Sequence, residues 1–286
     1  MSDKLYTIND FPKFSKWPET LLFPDTDRKR LKNKVELNRE YEIEKWGPLL
    51  KKLQAIDGKL TIEKADEIYI EYQNECMYFN GKDFVVKNKE KVYKEYFNFI
   101  ENNLSKYTYS SNTICELGSG YGSVIIKLSK SDKFTSHNKY AYEYTDSGLR
   151  AIELISKEEG INITTGKCDF FNQEITSIPI PTRSIIFTVS ATACIPTLSQ
   201  AFIDNIIESK AEIVIHFEPC YEHCNETMHG LLLKKYIEVN DYNRNLVTLL
   251  KQNVQDGKIK IVEEIPMAFG VNPLFCLSVV VWKPVL

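Results

Sequence analysis

The residues best placed to do chemistry form one run, Cys115-Glu116-Leu117-Gly118-Ser119-Gly120-Tyr121-Gly122. It follows a short apolar segment, Thr113 to Leu117, and opens a helical one. Glycines at such a junction accept positive φ and let backbone approach a ligand closely. In an open parallel sheet, strand–helix junctions of this kind border the ligand crevice. The run lacks the Gly-Lys-Ser/Thr of a phosphate-binding P-loop. Its glycines are spaced one residue short of a G-x-G-x-x-G dinucleotide fingerprint, which argues against a nicotinamide oxidoreductase.

Glu116 to Gly122 match the pattern E/D-x-G-x-G-x-G, and here the chain resembles the class I S-adenosylmethionine-dependent methyltransferases. The resemblance covers about residues 108–286. It implies S-adenosyl-L-methionine as cofactor, with Glu116, Gly118, Ser119, Gly120 and Gly122 at the loop. The family's acidic residue at the end of the second strand corresponds to Glu143 in Tyr140-Ala141-Tyr142-Glu143-Tyr144, with Tyr144 beside it. A carboxylate there accepts charge-assisted hydrogen bonds from the ribose hydroxyls. In Gly166-Lys167-Cys168-Asp169-Phe170, Asp169 corresponds to the residue that caps the adenine amino group and Phe170 to the one that flanks the ring. Ser190 and Thr192, just past the fourth strand, are small and polar; each can line the pocket or simply turn the chain.

For the acceptor, the unusual stretch is His216-Phe217-Glu218-Pro219-Cys220-Tyr221-Glu222-His223-Cys224. Glu218, Glu222 and His223 are the catalytic candidates. They stand just past the fifth strand, on the crevice side in this architecture. Two carboxylates suit a cationic amine, so the expected acceptor atom is nitrogen, on a small molecule or peptide. Methylation of a hydroxyl on a small metabolite, with His223 as base, is the alternative, as is a non-catalytic cofactor-binding scaffold subunit. His216, Cys220, His223 and Cys224 also have the residue types of a zinc site, though not a common spacing. The Asp/Asn-Pro-Pro-aromatic motif of base methylases is absent. His137 and His229 read as surface residues.

Short apolar runs that alternate with helical stretches after Ser110 imply an α/β fold. The sheet is expected to be Rossmann-like, doubly wound and mainly parallel, with a C-terminal antiparallel hairpin from Lys258 to Trp282 broken over Pro266 to Pro273. Leu231 to Gln252 reads as one long helix. Before residue 107 the pattern is helical: 27–53 with a break at Gly47-Pro48, then Thr61 to Met77, then Lys87 to Leu104 with a wide aromatic face. Residues 1–107 are thus expected to form a helical lid or acceptor-recognition region, with Tyr72, Met77, Tyr78 and Phe79 either as its contacts or as ordinary core. Residues 108–286 would form the cofactor domain. Residues 1–27, rich in aromatics and proline, read as an irregular segment over the surface.

Composition sets the outer limits. The chain has 286 residues, 26% of them charged, and a net charge of -3. No basic arm is present to grip a nucleic-acid backbone. The start has no apolar core of a signal peptide, and no run reaches the ~20 apolar residues of a membrane span. Seven cysteines, an odd number with no CxxC, suit reduced thiols in the cytoplasm.

Overall fold

The computed structural model describes residues 6–22, 31–72 and 74–285. A 3-10 turn (Ile8–Lys13) precedes α1 (Trp17–Leu22). Then α2 (Lys34–Leu37) runs into a π-helix (Asn38–Trp46) and on into α3 (Gly47–Gln54). Next come α4 (Ile62–Ile70), β1 (Glu75–Phe79), β2 (Phe84–Asn88) and α5 (Lys89–Ser105). Alternation follows: β3 (Thr113–Leu117), α6 (Ser123–Lys130), β4 (Asn138–Glu143), α7 (Asp146–Glu159), β5 (Thr164–Lys167) and β6 (Ile185–Val189). The chain closes with α8 (Gln200–Glu208), β7 (Ile213–Glu218), α9 (Met228–Val239), α10 (Leu246–Gln255), β8 (Ile259–Asn272) and β9 (Phe275–Pro284).

One nine-stranded sheet runs β2-β1-β8-β9-β7-β6-β3-β4-β5. β3 to β7 pair in parallel, whereas β9 is antiparallel to both β7 and β8. This is the Rossmann-like, doubly wound sheet with a closing antiparallel hairpin that the sequence implies. Strand residues alternate between its faces. Ile114, Ile185, Phe187 and Phe217 point into one core with α3, α6 and α7, and Cys115, Ile186, Val214 and Trp282 into the other with α8 and α10. Phe187, Phe217 and Trp282 are fully buried, each worth roughly 1.5–3 kcal/mol or more by area removed from water. Strand order reverses at β3, so its C-terminal end opens into a crevice between β4 and β6.

Several local expectations change. The helix from Thr61 stops at Ile70, where Glu71 takes a left-handed φ of 54°, and Cys76 to Phe79 become strand. Alternating apolar residues around Asn80-Gly81 pair as the hairpin β1–β2, which extends the sheet beside β8. Met77, Tyr78 and Phe79 are therefore buried core rather than lid contacts. The stretch 231–252 splits into α9 and α10 at Asp241, whose φ is 50°. Asn243 Oδ1 accepts from the amides of Asn245 and Leu246, and its Nδ2 donates to Ile195 O, which holds the break in place. β8 runs through Pro266 with register shifts instead of stopping there. His137 and His229 are both buried; His229 packs edge-on between Phe79 and Phe84 and hydrogen-bonds Pro273 O at 2.7 Å.

The break at Gly47-Pro48 takes the form of a π-to-α change. The Gly47 amide donates to Glu42 O, five residues back. Pro48 has no N–H to restore the α pattern. A Cβ at residue 47 would lie 2.5 Å from Glu42 O, so glycine is required there. The wider turn carries Tyr41, Lys45 and Trp46 to the crevice.

Candidate active site

A cavity of about 310 Å³ opens at the C-terminal ends of β3, β4 and β6. Its floor is the glycine loop. The Gly118 and Ser119 amides both donate to Tyr142 O, at 2.7 and 2.9 Å, which folds the loop back over β4. Gly118 has a φ of 79°, and a Cβ on it would stand 2.4 Å from the Ala191 Cβ. Glu116 is buried and accepts from the Ile125 amide at 3.2 Å, so it fixes the first turn of α6 to β3. Its carboxyl is pushed well above the usual range by burial.

Glu143 ends β4 with its carboxylate against the loop. Oε2 accepts from the Gly120 amide at 2.9 Å, and Oε1 from the Thr145 amide and hydroxyl at 3.0 and 2.7 Å. Burial raises its pKa, against the pull of these bonds. Asp169 accepts from the Phe171 amide at 2.9 Å and pairs with Lys34 at 3.0 Å. Phe170 is braced edge-on by Phe202, with ring centroids 5.0 Å apart. Ser190 adopts a φ of 56°, rare for a residue with a Cβ.

Of the residues expected at the cofactor, Glu116, Gly118, Ser119, Gly120, Glu143, Tyr144, Asp169, Phe170 and Ser190 all line this cavity. Gly122 does not. A Cβ there would press on Ile152 and Ile126, so its role is to pack α6 against α7. Thr192 is fully buried behind the wall.

The three acceptor-side candidates lie elsewhere. Glu218 is buried, and its carboxylate accepts from the amides of Ala191, Thr192 and Ala193 at 2.9, 3.2 and 3.1 Å. It shapes the loop after β6 from behind instead of facing the cavity. Glu222 accepts from the Thr248 amide at 2.8 Å in the first turn of α10. His223 Nε2 meets Glu264 at 2.5 Å on β8. Among the described residues no group of three or more His, Cys, Asp or Glu is placed to hold a metal ion.

His216 is held inside the sheet between Trp282 and Thr188. The Trp282 indole N–H donates to His216 Nε2 at 3.0 Å, so the ring proton sits on Nδ1 and points to Thr188 Oγ1, 2.9 Å away. Burial lowers the His216 pKa from 6.5 to about 3. Between those values the unfolded chain binds the extra proton, so His216 contributes stability above pH 6.5 that is lost as pH falls toward 3. Glu116, Glu143 and Glu218 shift upward and act in the opposite sense, so the wild-type curve alone mixes both. We expect the stability gap between wild type and His216→Gln to shrink by a few kcal/mol from pH 7 to pH 4, read from urea midpoints. Parallel curves would contradict a neutral, buried His216.

The opposite wall comes from the N-terminal part, and most of it was not singled out from the sequence. Trp46 lies over the loop, its Cζ2 3.0 Å from where a Gly120 Cβ would be. Trp46, Tyr69 and Tyr121 form a cluster with ring centroids 5.0 to 5.3 Å apart. Two sets of contacts dock this wall. Glu42 accepts from the Ser147 amide and hydroxyl at the start of α7, at 3.0 and 2.5 Å. Asp66 accepts from Tyr121 and Ser123 at 2.8 and 2.9 Å and pairs with Lys127 on α6. The aromatic face around Tyr93, Tyr96 and Phe97 was the one signal for this wall, and it reads as core until the sheet edge is known.

No protein family description and no curated protein matches the chain. Solved structures similar to it include a putative sarcosine dimethylglycine methyltransferase from Galdieria sulphuraria, 10% identical over 69% of this chain and 88% of that one, with a TM-score of 0.47. Another is a geranyl diphosphate C-methyltransferase from Streptomyces coelicolor A3(2), 10% identical over 69% and 84%, TM-score 0.46. PigF, solved with SAH, is 12% identical over 90% and 75%, TM-score 0.41. Likeness at this level carries no substrate across. The order of the sheet and the cavity at its reversal are those of an open, doubly wound α/β sheet.

Proposed function

We propose that the chain is an S-adenosylmethionine-dependent methyltransferase acting on a small-molecule acceptor. The observation behind this reading is the gathering of Gly118, Gly120, Glu143, Asp169 and Phe170 around one cavity at the reversal of strand order. These residues fit the cofactor. The space beside Gly118 is one a Cβ would fill. Glu143 Oε2 keeps a lone pair beyond its bond to Gly120 and can take a ribose hydroxyl. Phe170 offers a braced ring for adenine, and Asp169 an acceptor for its amino group.

When bound, the cofactor supplies an electrophilic methyl group. The chain's own work is to orient an acceptor in line with it and to exclude water. Residues 108–286 would hold the cofactor, and residues 1–107 the acceptor, under Trp46 and its neighbouring rings. The nitrogen acceptor expected from Glu218, Glu222 and His223 loses its residues, because these groups bond backbone amides and Glu264. Seven unpaired thiols, six of them buried, favour a cytoplasmic setting. Among the described residues no helix is long and apolar enough to cross a membrane.

S-adenosylmethionine and S-adenosylhomocysteine should raise the melting temperature, and NAD should not, since a ligand of the native state stabilises it. Glu143→Ala should weaken cofactor binding by ~1.5–3 kcal/mol, the scale of hydrogen bonds to a charged group. Wild-type affinity in that variant would take the ribose away from Glu143.

A further inference from the structure

Resting on the cofactor reading above, we propose that the N-terminal half of the cavity takes an uncharged heteroaromatic ring and presents a pyridine-type ring nitrogen to the methyl group. Of the nine lining residues contributed by the first 107, six are aromatic: Tyr41, Trp46, Tyr69, Tyr93, Tyr96 and Phe97. They come from three separate elements, the π-helix, α4 and α5, and converge on one space. Leu37 and Ile70 add only carbon. Such a wall matches a flat ring, which gains from offset and edge-on contacts.

The charges of the cavity decide what that ring can carry. Among the described residues, five charged side chains line it: Lys45, Glu116, Lys127, Glu143 and Asp169. Each already has a partner within the protein. Lys45 is paired with Glu40 at 2.7 Å and lies 4.1 Å from the Tyr41 ring centroid. Lys127 is paired with Asp66, and Asp169 with Lys34. Glu143 is bonded to the amides of Gly120 and Thr145. Glu116 is only 2% exposed and turns to the Ile125 amide. The Tyr41 hydroxyl is tied to Cys194 Sγ at 2.8 Å, and that of Tyr121 to Asp66. An acceptor with a charge of either sign would give up its water and find no countercharge to replace it. An uncharged ring gives up little.

The same pairings leave no general base beside the acceptor. No histidine is among the described residues that line the cavity. Glu143 and Asp169 stand at the ribose and adenine positions, and Glu116 faces α6. The nucleophile that suits this wall is one that needs no deprotonation. A pyridine-type nitrogen meets the condition, because its lone pair lies in the ring plane and carries no proton. In the transfer that lone pair forms the new N–CH3 bond while the C–S bond breaks and its electron pair stays on sulfur. The positive charge passes from sulfur to the ring, and no proton leaves. The new cation is spread over a ring without N–H donors to leave unpaired, and the π faces around it are attractive to such a charge.

The test uses the full chain saturated with S-adenosylhomocysteine, near neutral pH, in a calorimeter. Quinoline, 2-naphthoate and 2-naphthylmethylammonium are flat probes of similar size and different charge. We expect quinoline to bind and both ions to bind weaker by about tenfold or more. Glu40→Gln releases Lys45 from its partner, so it should strengthen 2-naphthoate binding by about fivefold or more and leave S-adenosylhomocysteine affinity unchanged. With S-adenosylmethionine, quinoline should become N-methylquinolinium, seen by mass, with no proton released to a pH indicator, and 2-naphthol should not be methylated above background. No binding of quinoline, either ion binding wild type as tightly, 2-naphthoate indifferent to Glu40→Gln, or 2-naphthol methylated in preference to quinoline would overturn the uncharged site while the cofactor reading stands. A folded protein that does not bind S-adenosylhomocysteine at all would overturn the cofactor reading and this proposal with it.

Discussion

Gly118→Val is expected to abolish S-adenosylhomocysteine binding, by more than about 100-fold, or roughly 2.7 kcal/mol, in a protein that still folds. Two effects add. The left-handed backbone at φ 79° costs a β-branched residue about 1–3 kcal/mol or forces the loop to move. The new Cβ would sit 2.4 Å from the Ala191 Cβ, so one of the two walls of the crevice must shift. Either movement disturbs the amides that fold the loop over Tyr142 O. Calorimetric titration beside a thermal melt separates lost binding from lost folding. A folded variant with wild-type affinity would remove this loop from the cofactor site.

Glu218→Ala is expected to cost about 3–5 kcal/mol of stability, the range found when one partner of a buried charged network is removed. Three buried amides, those of Ala191, Thr192 and Ala193, would lose their acceptor together. Each orphaned amide is worth about 1–3 kcal/mol. Glu218→Gln should cost less, because its carbonyl still accepts while its NH2 confronts one of the amides. The denaturant midpoint is the readout, with turnover measured on whatever folds. The loop reading expects stability to fall in both variants. Unchanged stability with lost turnover would return Glu218 to the role of general base.

These two residues mark what could be read from the chain and what could not. The glycine run is legible because close backbone approach restricts residue type, so the chemistry is written in the identities themselves. Glu143 and Asp169 are expected only through the family resemblance, which places acidic residues at those strand ends. Glu218 also sits at the expected strand end, but position does not give direction. Its carboxylate turns toward the neighbouring loop because three amides there need an acceptor, and that need appears only once β6 and β7 are paired.

The strand and helix errors have the same source. Cys76 to Phe79 become strand because β2, across the Asn80-Gly81 turn, and β8 offer partners. The long helix splits because Asn243 and Asn245 bond the distant segment 195–198. Tyr93, Tyr96 and Phe97 showed a helical aromatic face, but a face packed on core and a face lining a cavity look alike in sequence. Their convergence with Trp46 and Tyr69 depends on the docking contacts of Glu42 and Asp66, residues that read locally as ordinary surface carboxylates.

A crystal structure of the protein with S-adenosylhomocysteine tests the central claim most directly. The expected complex has adenine against Phe170 with its amino group at Asp169, ribose hydroxyls on Glu143, and the sulfur facing Ser190 and the rings beyond it. Density for the ligand outside this cavity, or inside it with the ribose hydroxyls away from Glu143, would contradict the assignment of the site.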